Sequence, residues 1–196
     1  MSHRDEPRRM AHQVLAECPD GQVESPPVPA KLRGKWALGI TPRNFTWILK
    51  DKLAICERPG GYGDNHRRVR RQEEIIWIRE NGFGCLISII AAPSNLHNYE
   101  ELGVAYRHRP LTGADDLDAY LKVLYPEMRD LIDSGVKVVV HGEEVGDRLL
   151  GVMGGFIRWS GLVEDGSQAI TVSERIAGHQ LDPSARALIL RVHDLR

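Results

Sequence analysis

Between Val140 and Leu149 the chain carries its best candidates for chemistry, in the order His141-Gly142-Glu143-Glu144-Val145-Gly146-Asp147-Arg148. The histidine closes the apolar run Val136 to Val140, and the arginine opens the apolar stretch Leu149 to Val163. A buried strand that enters a short loop and then a helix is a place for an oxyanion. The helix N-terminus offers unsatisfied N–H groups and partial positive charge, and Arg148 adds a full charge. Two features oppose that chemistry. Gly142 has no side chain to serve as a nucleophile, and Glu143, Glu144 and Asp147 set three carboxylates around Arg148. At ~9 Å and an effective dielectric near ~60, each carboxylate repels a phosphate by about 1 kcal/mol, whereas the helix end and Arg148 together attract it by roughly 1–3 kcal/mol. These terms nearly cancel, so a phosphate site here is weak. Arg148 has a second candidate role, pairing with Glu143 or Glu144 to lock the loop.

The rest of the chain offers few competing clusters. The eight histidines form no HxH or HExxH pattern. Cys18, Cys56 and Cys85 lie far apart without CxxC spacing, which fits reduced thiols and excludes a zinc knuckle or disulfide framework. No metal and no cofactor are therefore expected. The basic run His66-Arg67-Arg68-Val69-Arg70-Arg71 could contact a polyanion, but Glu73, Glu74 and Glu80 follow on the same predicted helix. It reads as a solvated face, and nucleic acid is not an expected partner. A net charge of −1 gives no global pull toward polyanions. No apolar run approaches the ~20 residues of a membrane span. The first residues (MSHRDEPRRMAHQ) lack the apolar stretch of a signal peptide, so the expected location is cytoplasmic.

The elements that must position the loop follow from pattern. Residues 1–34 are rich in Pro, Glu and Arg without apolar periodicity, and read as a flexible tail ahead of one domain over 35–196. Phe45 to Leu49 and Leu53 to Cys56, separated by Lys50-Asp51-Lys52, predict a hairpin. A turn-rich loop, Glu57 to Asn65, leads into a helix from about His66 to Glu80 with Val69, Ile75, Ile76 and Trp77 on its buried side. Gly84 to Ile90 and Val136 to Val140 are apolar throughout, as strands buried on both faces are. Val104 to Arg109 is a further strand, and Leu117 to Asp133 is an amphipathic helix. Helices follow at Leu149 to Val163, Ala169 to Gly178 and Ser184 to Asp194, the last with Asp182-Pro183 as cap and first-turn proline. Strands alternating with helices predict a three-layer α/β domain with a mostly parallel central sheet flanked by helices. Such sheets bind ligands at the carboxyl ends of their strands, which is where the 141–148 loop falls.

With those elements in place, the strand, His141, the loop and Arg148 resemble the HCxxxxxR signature of the cysteine-dependent tyrosine and dual-specificity phosphatases. Asp147-Arg148 resembles the GKDR form of that loop, and the hairpin Asn44 to Leu49 with Leu53 to Pro59 looks like the opening of the small dual-specificity members. The resemblance covers roughly residues 42–195. It implies that a cysteine nucleophile belongs at Gly142, that residues 143–147 and Arg148 cradle phosphate, and that His141 orients the loop. It also shows departures. Val145 stands where the family has glycine, Gly146 replaces the lysine of GKDR, and Leu149 replaces the hydroxyl residue that stabilises the thiolate. The loop Arg109 to Asp116 carries no acid at the early position of the general acid, and Asp115 and Asp116 read as helix caps. The resemblance thus implies a pseudophosphatase that binds a protein partner or a phosphorylated ligand. The alternative is a phosphatase hydrolysing phosphoesters in which cysteine has been replaced by glycine at 142.

Overall fold

In a computed structural model, residues 38–62, 67–113 and 116–195 are described. The tail at 1–34, Cys18, His66 and Asp115 lie outside them.

The hairpin forms as β1 (Thr46–Leu49) and β2 (Leu53–Glu57), antiparallel across a turn in which Asp51 takes φ 61°. The chain continues through α1 (Arg68–Glu80), β3 (Cys85–Ser88), α2 (Leu96–Glu101), β4 (Tyr106–His108), α3 (Leu117–Asp133), β5 (Val138–Gly142), α4 (Asp147–Trp159), α5 (Gly166–Ala177) and α6 (Pro183–Arg191), and ends in a 3-10 turn at Val192–Leu195. The sheet runs β1-β2-β5-β3-β4, with every neighbour pair after the hairpin parallel. It is the expected α/β architecture of three layers: a mixed, mostly parallel sheet flanked by helices.

The apolar strands earn their burial by feeding two cores at once. Side chains alternate in direction along a strand. Leu53 and Ile55 of β2, Ile87 of β3 and Val138 and Val140 of β5 therefore meet α3, α4 and α6, through residues such as Tyr125, Met153 and Ile189. Ala54, Cys56, Leu86 and Val139 face the other way, against Ile75 and Ile78 of α1 and Tyr99 of α2.

Several boundaries and faces differ from expectation. The strand expected at Val136 to Val140 runs from Val138 to Gly142, so His141 and Gly142 belong to the sheet. The short helix α2 was not expected from the sequence at all. Val69, in the first turn of α1, is exposed, whereas Glu74 is fully buried. The glutamate accepts from the Gly60 N–H at 2.7 Å and from Arg70 Nε at 2.6 Å.

The helix that carries the loop is the most tightly held. Every residue of α4 from Leu149 to Ile157 is buried. Three glycines let its neighbours close in. A Cβ at Gly151 would lie 3.0 Å from Ala185, one at Gly154 would meet Ser173 Oγ at 2.2 Å, and one at Gly155 would meet the Tyr125 hydroxyl at 2.3 Å. Gly154→Ala should therefore destabilise the fold by about 1–3 kcal/mol through overpacking, read as a lower urea midpoint. An unchanged midpoint would show that α5 can move away.

Candidate functional site

β5 delivers His141 and Gly142 to the carboxyl end of the sheet, and only four residues separate it from the first turn of α4. In the sheet register Gly142 lies opposite Glu57, and His141 opposite Cys56 on one side and Ser88 on the other. The His141 ring is fully buried. Its Nδ1 lies 3.2 Å from the Gly142 carbonyl and its Nε2 3.0 Å from the Tyr99 hydroxyl. A carbonyl only accepts, so Nδ1 carries the proton and Nε2 receives the Tyr99 O–H. Burial lowers the His141 pKa to about 4, so the ring is neutral.

Gly142 is where the loop takes its shape. A Cβ built there would lie 2.9 Å from the main-chain oxygen of Glu144 and 3.8 Å from Leu149 Cδ2. The backbone has closed over the glycine, placing a carbonyl oxygen where a nucleophilic side chain would leave the strand. The two glutamates that follow are drawn sideways by the β2–α1 loop. Arg58 Nη1 donates to both Glu143 oxygens, at 3.0 and 3.3 Å, and the Tyr62 hydroxyl donates to Glu144 at 3.1 Å. Val145 packs against the larger core, and Gly146 occupies the N-cap of α4 without a side-chain cap.

Asp147 turns away from the loop. It accepts from the Asp182 N–H at 2.8 Å and pairs with His179 Nε2 at 2.7 Å, tying α4 to the α5–α6 connection. The His179 bond lowers the Asp147 pKa, and the same bond raises that of His179. Arg148 pairs with neither Glu143 nor Glu144, contrary to the locking role the sequence allowed. It is exposed, and its Nη2 donates to the Thr112 carbonyl at 2.5 Å, so it bridges α4 to the β4–α3 loop.

The neighbouring positions continue the pattern. Leu149 is buried against Gly142, and Asp116 caps α3 by accepting from the N–H groups of Asp118 and Ala119. Arg109 is held by Glu127, and the Tyr120 hydroxyl donates to its carbonyl, which fixes the start of the β4–α3 loop. No group of three or more His, Cys, Asp or Glu among the described residues is placed to hold a metal ion. No described helix is long and apolar enough to cross a membrane. Sequence reasoning missed Arg58, Tyr62, Tyr99 and His179. The available signal was Arg58-Pro59-Gly60-Gly61 at the end of a buried strand, on the same sheet edge as the loop.

No family model matches the sequence, and no curated protein matches it. Solved structures do. A kinase-associated phosphatase with its catalytic-site cysteine replaced by serine superposes with a TM-score of 0.66 at 16% identity, covering 79% of this chain and 96% of that one. Human DUSP28 gives 0.55 at 13% identity, over 79% and 97%. The core catalytic domain of the PP-IP phosphatase SIW14 from S. cerevisiae, in complex with citrate, gives 0.55 at 11%, over 78% and 87%. The fold is that of the dual-specificity phosphatases.

The two site histidines should titrate in opposite senses. His141, depressed from 6.5, stays neutral until the pH falls toward 4, and because the unfolded chain takes up that proton first, its burial lowers stability as pH drops below 6.5. His179, raised above 6.5, stays protonated through pH 6. Its ion pair contributes fully below pH 6.5 and fades as the pH rises through its folded value. Imidazole ¹⁵N shifts at pH 5.5 should show His141 as the Nδ1–H tautomer and His179 as the cation. A protonated His141 at that pH would overturn the assignment.

Proposed function

We propose that this chain is a pseudophosphatase: a member of the cysteine-dependent phosphatase family that retains the fold, has lost the nucleophile and serves as a binding or regulatory scaffold for a protein or a phosphorylated ligand in the cytoplasm. The observation that carries this reading is the Glu144 carbonyl, 2.9 Å from the position of a Cβ at 142. A chain with only its cysteine removed would keep a loop shaped around that side chain. Here the loop is packed for a glycine and turns an acceptor toward the site, where an oxyanion needs donors.

Three further features support the same reading. Arg148, the residue expected to grip phosphate, is engaged with Thr112. Leu149 supplies no hydroxyl to a thiolate, and Arg109, Leu111 and Thr112 supply no acid. The 143–148 loop is then at most a weak phosphate site, with Arg148 as its cation once released from Thr112.

The wild-type chain should hydrolyse neither an aryl phosphate nor a phosphopeptide above the buffer blank. Gly142→Cys should remain below measurable turnover too, because the new Cβ must displace the Glu144 peptide and the reaction would still lack its acid, worth about 10²–10⁴-fold. Turnover of both substrates by Gly142→Cys would mean that glycine is the sole lesion, and the chain would then be an enzyme altered at one position.

A further inference from the structure

A second group of arginines gathers one strand away, at the corner between β2 and α1, where Arg58 also reaches Glu143 of the loop. Arg58 leaves the end of β2 with its side chain only 15% exposed, and its Nε is buried without a hydrogen-bond partner. Two residues later Gly60 (φ 87°) packs directly on the first turns of α1. A Cβ there would lie 2.6 Å from Arg71 Cβ, and the Gly60 carbonyl accepts from the Arg67 N–H at 2.8 Å. Arg68 lies one helical turn before Arg71 on the same helix, next to Arg67, whose N–H bonds Gly60. No acidic residue occupies the first turn of α1 and no side chain caps it.

Two of the three carboxylates that weakened a polyanion reading of this run are otherwise committed. Glu74 is buried beneath the turn, on the Gly60 N–H and Arg70, and Glu80 pairs with Arg79 at the far end of the helix. Glu143 neutralises Arg58 in part. Arg71 registers the remaining crowding: burial first, then Arg58 and Arg68, lower its pKa, against an opposing pull from Tyr99 and Glu101. Like charges close together are relieved by an anion between them.

We propose that Arg58, Arg68 and Arg71 form a binding site for a compact, multiply charged oxyanion, a diphosphate or phosphate monoester, at the β2–α1 corner. A compact ligand fits better than a nucleic acid. Arg58 is recessed and Arg71 half-buried, so only Arg67 and Arg68 face outward, too short a row for the several phosphate contacts that a polynucleotide backbone uses. The corner also lies at the carboxyl edge of the parallel strands, where α/β sheets take their ligands. The site goes beyond the scaffold reading and stands whether or not the 141–148 loop turns anything over.

The test is titration of the full chain with inorganic pyrophosphate at low salt, followed by calorimetry and amide shifts, with phosphoserine as the monoester arm. Arg68→Gln and Arg71→Gln should each weaken binding by about ten-fold. Since Arg68 is exposed, its variant should keep the wild-type melting temperature, and Arg71→Lys should retain binding if Arg71→Gln fails to fold. Three outcomes would overturn the site: no pyrophosphate binding at millimolar concentrations, loss of binding in Arg148→Gln alone, or tighter binding of a single-stranded oligonucleotide that displaces pyrophosphate.

Discussion

A β-carbon is missing at position 142, and the carboxyl edge of the sheet is arranged around that gap. With no side chain to clear, the peptide after Glu144 settles onto Gly142 and brings its carbonyl oxygen to the mouth of the loop. A phosphate cradle depends on the opposite polarity, with N–H groups converging on the anion. Once the backbone takes this course, Glu143 and Glu144 fall within reach of Arg58 and Tyr62 from the adjoining strand end. Asp147, in the first turn of α4, is captured by His179 and the Asp182 N–H. The three carboxylates that would repel a phosphate are thus each bonded to a different neighbour. The loop is held by its own anions.

These contacts differ in weight. Arg58 with Glu143 is a pair open to solvent on the carboxylate side, worth up to about 1 kcal/mol by the standard of exposed pairs. Glu74 is another matter, since it is wholly inside and its removal of partners would strand a charge, at about 3–5 kcal/mol. Its bond to the Gly60 N–H fixes the β2–α1 turn from below, and that turn in turn presents Arg58 and Tyr62 to the loop. The closed state of the loop therefore rests less on its own ion pairs than on a buried glutamate one strand away.

How much of this could be read from the sequence depends on distance along the chain. The alternation of buried strands and amphipathic helices gave the architecture, because each such pattern is local and repeats the period of its element. Caps at Asp116 and Asp182 were readable for the same reason. Leu96–Glu101 escaped because it spans barely more than a turn and its buried Asn98 looks polar, while Val69, a single apolar residue in a first turn, is exposed. The candidate loop itself was visible from His141, Gly142 and Arg148. Its partners were not. Arg58 lies 85 residues from Glu143, and His179 lies 32 from Asp147, separations over which no periodicity operates.

His141 shows how much of the loop's chemistry the fold itself consumes. Its ring is sealed beneath the sheet edge, neutral, with both nitrogens used: one donates to the Gly142 carbonyl and the other accepts from Tyr99. Replacing it would leave a buried hydroxyl and a buried carbonyl without partners, a penalty of about 1–3 kcal/mol for each. That penalty is independent of any reaction, so folding alone is enough to keep a histidine here. Arg148 carries the same lesson from the other side, since its bond to Thr112 ties α4 to the β4–α3 loop without any ligand. Position 142 carries no such contact, and a Cβ there would come within 2.9 Å of the Glu144 carbonyl oxygen. His141 and Arg148 are thus both accounted for by contacts that the fold itself uses.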